Sequence, residues 1–198
     1  MIDAKKLENE LNNIPDGWIV LLETSAENVL EVCLVVLKFL SDNNYTGIVL
    51  SASRPYQNLI KLYKQNYIDT EKIFIIDCVS ESYGGNLEES NNVQYIESVS
   101  ALTNISISID RIIELIKGGK FLFIDSITTM LIHNEPDVFV RFVHSAMTRL
   151  RTREITGIIV SLSETDKEIR AEIIQPVSYT HLRAHETSLH LVCRLLLE

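Results

Sequence analysis

The sequence predicts an α/β domain with a central, mostly parallel sheet and helices on both of its faces. Short apolar runs alternate with longer segments in which apolar residues recur at helical spacing. The short runs are apolar throughout, which is typical of strands buried on both faces of a parallel sheet. A chain of 198 residues also buries roughly 70% of its unfolded surface as one domain.

The first elements follow this alternation. Residues 1–14 are charged and predict a surface helix, and residues 18–22 predict a strand. Apolar residues at helical spacing then predict a second helix, which ends at residues 42–44. These residues are Val29, Val32, Cys33, Val36, Leu37 and Leu40.

The next units repeat the pattern. Residues 47–52 and 72–79 are strand-like, and Pro55 begins a helix between them that ends near Asn66. The polar residues 80–92 predict a surface loop. A short strand is expected at residues 93–96.

The last predicted elements complete the sheet. We expect a helix over residues 108–117, a strand over 120–125 and a helix over 136–153. A strand over 157–162 follows, and residues 172–175 begin another. The inward side chains of the long helix are predicted to be Val138, Phe142, Val143, Met147 and Leu150.

Composition limits the classes of function. The net charge of −9 disfavours binding to nucleic acid or to an anionic membrane surface. We find no apolar run of membrane-spanning length and no signal peptide, so a cytoplasmic location is expected. Cys33 and Cys78 lie in apolar runs, which indicates buried thiols.

Residues 177–198 do not follow the pattern of the preceding chain. They contain His181, His185 and His190, at a near-helical spacing that favours a metal site in isolation. The segment resembles translated sequencing-adapter read-through more closely. We therefore expect the domain to span residues 1–176 and the tail to lie outside it.

Polar residues follow several of the predicted strands. Ligands of open parallel sheets bind outside the carboxyl ends of the strands. This rule brings together Glu23, Thr24, Ser25, Ser53, Arg54, Asp77, Asp125, Ser126, Ser163 and Glu164. The alternative is that they are ordinary polar loop residues.

The segment KFLFIDSITTML, residues 120–131, is the strongest local signal. Its strand ends in Asp125 and Ser126, the form of a Walker B strand, whose carboxylate holds Mg²⁺ through water. A strand that ends in aspartate is common, so its position after three strand–helix units strengthens the interpretation.

Residues 17–175 resemble the RecA/KaiC-like ATPase domain, especially an archaeal branch. The resemblance is carried by the "RPY" turn at residue 54, the "IID" strand, the "DS" strand and the "TGIIV" strand, in that order. It implies a RecA-like, P-loop-type fold with an ATP and Mg²⁺ site. It also implies a last core strand after residues 173–175, where the tail begins, so that strand is expected to be missing.

The chain departs from this family at the phosphate-binding loop. A P-loop needs glycines for close approach to phosphate and a lysine for charge. Between Gly17 and Gly47 there is no glycine, and between Lys6 and Lys38 there is no lysine. The sequence at this junction instead matches a capping box, Thr24-x-x-Glu27, which would place a carboxylate at the helix start.

A second departure concerns the catalytic base. The resemblance implies a glutamate after the second core strand, and residues 52–55 are Ala-Ser-Arg-Pro. ATP hydrolysis is therefore not expected, and Asp125 is interpreted as structural, with Mg²⁺ binding as the alternative. Arg54 is either an anion or partner contact or part of a simple turn.

These observations predict a degenerate ATPase domain that acts as an interaction or regulatory module, without a cofactor, and binds a protein partner or itself. The alternative is atypical binding of a nucleotide, with ATP and Mg²⁺, or of another anion. Its site would use Thr24, Ser25, Arg54, Asp125 and Ser126.

Overall fold

The computed structural model describes residues 3–84, 87–163 and 181–183. These residues form a sheet of seven strands, in the spatial order β4-β3-β2-β5-β6-β1-β7. All neighbouring strands run parallel. The strands are β1 (Ile19–Thr24), β2 (Thr46–Ser51), β3 (Ile73–Asp77), β4 (Val93–Tyr95), β5 (Lys120–Asp125), β6 (Thr156–Leu162) and β7 (His181–Arg183).

Helices connect the strands and cover both faces, as the sequence predicts. They are α1 (Ala4–Asn12), α2 (Val29–Asp42), α3 (Tyr56–Gln65), α4 (Leu102–Leu115), α5 (Ile127–Ile132) and α6 (Pro136–Thr152). Short 3₁₀ turns occupy Thr70–Lys72 and Glu81–Tyr83. Among the described residues, no helix is both long and apolar enough to cross a membrane.

The core consists of two apolar layers, one on each face of the sheet. Side chains of α1, α2 and α3 pack on one face, and side chains of α4, α5 and α6 pack on the other. Each of the four central strands, β2, β5, β6 and β1, is buried along nearly its whole length. This explains their continuous apolar sequences, because successive side chains point to opposite faces.

Most predicted elements are confirmed, with differences at helix boundaries. α4 begins six residues before the predicted Ser108, and the prediction had no helix at α5. Within α6, Val138 was predicted to point inward but is 46% exposed, and its neighbour Phe139 is fully buried instead. The reason is rotational: Phe139 shares the inward face with Phe142 and Val143, three and four residues later.

The sheet continues beyond β1 with a short strand from the tail segment, residues 177–198. β7 pairs in parallel with β1, with Leu22 opposite Leu182. Its backbone occupies the edge of β1 that would otherwise lack a partner. The sequence analysis expected the strand after residues 173–175 to be missing and did not predict β7. The possible strand at residues 172–175 lies outside the described residues.

Candidate functional site

The carboxyl ends of β3, β2 and β5 place three polar side chains in one row. Asp77 is opposite Ser51, and Ser51 is opposite Asp125. All three are buried. They lie two residues beyond core side chains of the α2 and α3 layer, so they point to the same face of the sheet.

Arg54 and Asp125 form a buried ion pair at this edge. Arg54 Nη1 donates to Asp125 Oδ2 at 3.0 Å, and the Asp125 side chain is only 6% exposed. The Arg54 side chain is 26% exposed. The guanidinium therefore covers the carboxylate and keeps partial access to solvent.

The loop that carries Arg54 is held by hydrogen bonds on both sides. Ser51 Oγ accepts from the Arg54 backbone N–H at 3.3 Å and donates to the Arg54 carbonyl at 2.8 Å. The Ala52 N–H donates to the Asp125 carbonyl at 3.0 Å. Pro55 has extended backbone and is the N-cap of α3. The ion pair is therefore positioned by the backbone as well as by its charges.

Asp77 is the second anchor of the same loop, and sequence reasoning assigned it no role beyond a position in the cleft. Its side chain accepts from the backbone N–H groups of Tyr56, Val79 and Ser80 at 2.6, 2.8 and 2.9 Å. Ser80 Oγ donates to it at 2.6 Å. Because these donors satisfy the fully buried carboxylate, Asp77 joins the start of α3 to the turn after β3.

Burial shifts the ionisation of the groups around the pair. Loss of solvent raises the pKa of Asp125, and the charge and hydrogen bond of Arg54 oppose that rise. Burial also raises the pKa values of the Cys33 thiol and the Tyr63 hydroxyl, with a further rise from the charge of Asp125. These two groups therefore remain neutral beneath the ion pair.

The β1–α2 junction differs from the predicted capping box. α2 begins at Val29 with Asn28 in the N-cap position. The Asn28 side chain makes no capping hydrogen bond to the helix. Thr24 is the last, buried residue of β1 and donates to the Ser25 carbonyl at 3.4 Å. The prediction is wrong because residues 25–28 form a separate turn between strand and helix, in which Asn28 Nδ2 donates to Ser25 Oγ at 3.1 Å.

Ser126 has a structural role at the start of α5. Its hydroxyl accepts from the Thr129 N–H at 3.4 Å and lies 3.1 Å from the Thr129 hydroxyl. Thr128 Oγ1 accepts from the Leu162 N–H at 3.0 Å, which links the start of α5 to the end of β6. Ser126 is thus a helix cap next to Asp125.

The predicted site residues fall into two groups. Arg54 and Asp125 meet at the ends of β2 and β5, next to Ser126. Thr24 ends β1 and Ser25 follows it, two strands away from β5. Neighbouring strands are about 4.8 Å apart, and the side-chain hydrogen bonds from Thr24 to Ser25 and from Arg54 to Asp125 are made within each group. Glu164 lies outside the described residues.

The residues present do not fit Mg²⁺-ATP. The turn at residues 25–28 has neither glycine nor lysine, and Glu27 in that turn is exposed. Glu31 lies in the first turn of α2. Carboxylates at a helix start repel a triphosphate, and Asp125 is already paired with Arg54.

A metal-binding cluster or a pocket elsewhere on the surface of the described residues would be an alternative functional site. No group of three or more His, Cys, Asp or Glu side chains among the described residues is placed to hold a metal ion. A surface depression lies beside β4, lined by residues 87–91, Val93 and Tyr95. Its lining residues contact the start of α3: Gln57 Nε2 donates to Glu88 Oε1 at 3.1 Å, and the Tyr56 and Tyr95 rings pack edge to face.

Comparison of the sequence with protein families identifies a match. The sequence model of the family described as "ATPase: KaiC" matches residues 36–187, more than half of the chain. The match begins within α2, after the β1–α2 turn. Among curated proteins, none is similar enough in sequence to match.

Solved structures share the fold at low sequence identity. A KaiC-like protein from the hyperthermophilic archaeon Pyrococcus horikoshii OT3 is 17% identical, with a TM-score of 0.61 over 90% of this chain and 76% of that one. The flagellar accessory protein FlaH from Methanocaldococcus jannaschii is 13% identical, with a TM-score of 0.57 over 96% of this chain and 82% of that one. An uncharacterized Pyrococcus horikoshii protein in complex with an unknown peptide is 14% identical, with a TM-score of 0.64 over 93% of this chain and 86% of that one.

Proposed function

The chain belongs to the KaiC ATPase family, and we propose that it is a member that does not hydrolyse ATP and acts as an interaction or regulatory module. The observation that carries this proposal is the β1–α2 junction. Residues 25–28, Ser-Ala-Glu-Asn, form a turn without glycine or lysine at the position where the fold holds phosphate. Backbone approach to a phosphate chain and a matching positive charge are both missing there.

The charges around the junction support the same conclusion. Glu27 is exposed in the turn, and Glu31 follows in the first turn of α2. The positive end of a helix dipole favours anions, and these carboxylates already satisfy that preference. A triphosphate would therefore meet repulsion at the place where a P-loop attracts it.

The absence of a base after β2 supports loss of hydrolysis. The residues that follow β2 are Ala52, Ser53 and Arg54, and none carries a carboxylate. The neighbouring Asp77 is fully buried and accepts four hydrogen bonds. A carboxylate held in this way is not placed to orient an attacking water.

A retained fold without a working phosphate site favours a role in binding proteins. We expect the chain to associate with itself or with a protein partner. One structural neighbour is described in complex with an unknown peptide, which motivates the same test here. Light scattering of the purified chain, from micromolar to tens of micromolar, measures self-association, and a concentration-independent monomer mass would restrict the proposal to a different partner.

The enzymatic part of the proposal is tested by ATP turnover. Phosphate release by the full chain with Mg²⁺ should equal that of an Asp125→Ala variant purified in the same way. Turnover in the parent chain that disappears in this variant would overturn the proposal, because a contaminating ATPase is unaffected by the substitution.

The second candidate function is atypical binding of a nucleotide or another anion in the cleft. Partial exposure of the Arg54 guanidinium, 26% of the side chain, is the observation that favours it. The site would use Arg54 with Asp125 and Ser126, and Thr24 and Ser25 on the β1 side. Loss of ATP affinity in Arg54→Ala would support this function, and unchanged affinity would exclude Arg54 from it.

A further inference from the structure

Arg54 and Asp125 meet at the ends of β2 and β5, at the carboxylate for which the sequence left Mg²⁺ binding as an alternative. Asp125 is 6% exposed, and Arg54 Nη1 lies 3.0 Å from its Oδ2. We propose that Arg54 is the resident cation of this cleft, which neutralises Asp125 in the folded chain and keeps that carboxylate closed to Mg²⁺ and other divalent cations.

The geometry of the loop explains why the guanidinium stays in place. Ser51 Oγ fixes both the N–H and the carbonyl of Arg54, and Asp77 fixes the N–H of Tyr56 two residues later. The backbone on both sides of Arg54 is thus held before the side chain reaches Asp125. This preorganisation lowers the conformational entropy lost when the pair forms.

Charge explains why a divalent cation does not compete. Mg²⁺ is commonly held by one or two carboxylates and keeps several of its waters. Such an ion at Asp125 would have to displace the guanidinium or lie beside it, and an arginine does not lose its proton in a protein. Both arrangements place a divalent positive charge close to the Arg54 guanidinium, beside a carboxylate that is only 6% exposed, where the repulsion is less screened than in open solvent.

Removal of Arg54 should therefore open the carboxylate. In Arg54→Ala the shortened side chain leaves room at the cleft, and the negative charge of Asp125 lacks its counter-ion. A hydrated divalent cation can then occupy the vacated volume. The matched surface case is Lys38, which pairs with Asp42 at 3.0 Å where both side chains are well exposed.

The test measures binding of Mn²⁺ alone, by electron spin resonance of the free ion, to the full chain at pH 7.5. Four chains are compared: wild type, Asp125→Asn, Arg54→Ala and the double variant. We expect wild type and Asp125→Asn to agree within twofold. Arg54→Ala should bind Mn²⁺ at least tenfold more tightly, and the double variant should return to the wild-type value. Lys38→Ala should bind as wild type does.

Two results would overturn the inference. One is a fivefold or larger loss of Mn²⁺ affinity in Asp125→Asn, which would make Asp125 a metal ligand despite Arg54. The other is an Arg54→Ala chain, shown to be folded by circular dichroism, with wild-type Mn²⁺ affinity. If that variant does not fold, Arg54→Gln keeps the length of the side chain without its charge and is judged by the same criteria.

The inference rests on the proposed function, in which the cleft does not hold Mg²⁺-ATP. Different results would contradict the proposed function and the role of Arg54. Metal-independent hydrolysis of ATP would contradict the proposed function while the Mn²⁺ comparison still held. A metal ligand role for Asp125 without any nucleotide binding would contradict only the role given to Arg54.

Discussion

The ion pair between Arg54 and Asp125 should be strongly coupled in its effect on stability. Replacing Arg54 with methionine keeps an unbranched side chain of similar length and removes its charge. Breaking a fully buried pair from one side costs about 3–5 kcal/mol. Because the Arg54 side chain is 26% exposed, we expect a smaller loss, about 2–3 kcal/mol of unfolding free energy at pH 8.

Asp125→Asn and the double variant complete a double-mutant cycle with Arg54→Met. Their stabilities follow from the solvent exposure of the charge that each variant leaves. Asp125→Asn leaves a guanidinium that reaches water, so its cost should be about 1 kcal/mol. The double variant has no unpaired charge, so it should be more stable than Arg54→Met alone. The resulting coupling energy should be about 1–2 kcal/mol.

Urea unfolding, followed by the fluorescence of Trp18, measures the cycle. Trp18 is the single tryptophan of the chain, and urea does not screen charges. The control is the same cycle on Lys38 and Asp42, whose side chains are 42% and 57% exposed. That pair should give a coupling below about 0.5 kcal/mol.

The stability loss in Arg54→Met should also depend on pH, in a direction that the pKa of Asp125 determines. Burial already raises the pKa of Asp125, and removal of Arg54 raises it further. The folded state then holds a proton that the unfolded state has released, so stability falls as pH rises through the raised pKa. The loss in Arg54→Met should accordingly grow as pH increases above the ordinary aspartate range. Additive effects within about 0.3 kcal/mol, or a loss independent of pH, would refute this reasoning.

Four further predictions use the same unfolding measurements. Asp77→Ala leaves three backbone N–H groups without their acceptor and should cost about 3–5 kcal/mol; a loss below 1 kcal/mol would contradict its anchoring role. Gly47→Ala should cost about 3 kcal/mol, because its Cβ would clash with the backbone oxygen of Phe121 in β5. Wild-type stability would contradict that contact. The hydrogen bond to Asp16 raises the pKa of Tyr45 to about 12, so the free energy of unfolding should fall between pH 10 and 12. The fall should be smaller in Tyr45→Phe, and an equal pH dependence in the two chains would contradict the Tyr45–Asp16 interaction. Glu27→Ala should change stability by less than about 0.5 kcal/mol, and a loss above 1 kcal/mol would restore the capping box.

The strands were the most predictable part of the fold. Lys120–Asp125 forms β5 with the predicted bounds, because a continuous apolar run that ends in a charged residue identifies a buried strand well. The parallel sheet followed from the alternation of such runs with helices. The helices α4 and α5 were less predictable. α5 has only six residues, too few for a helical period to be recognised.

The capping box shows how a local motif fails. Thr24 and Glu27 have the correct types and spacing, but the backbone pairing of Thr24 with Leu162 keeps Thr24 in the strand. Tertiary pairing outweighs a capping interaction of about 1 kcal/mol. The helix therefore begins four residues later than that motif requires.

The central contact of the site was not predictable from local sequence. Arg54 and Asp125 are 71 residues apart, and the sequence placed both at the carboxyl ends of strands without predicting that they pair with each other. They meet because β2 and β5 are neighbours in the sheet. The sequence lists its strands in chain order, whereas their order in space depends on how the connecting helices pack. The four hydrogen bonds of Asp77 depend on the same non-local packing.

The most direct measurement is calorimetric titration of ATP and ADP, each with Mg²⁺, into the folded full chain. We predict no saturable heat up to millimolar nucleotide, since the β1–α2 turn lacks glycine and lysine and Asp125 is paired with Arg54. Saturable micromolar binding that is lost in Asp125→Asn would contradict the account. It would show that this cleft still holds Mg²⁺-nucleotide.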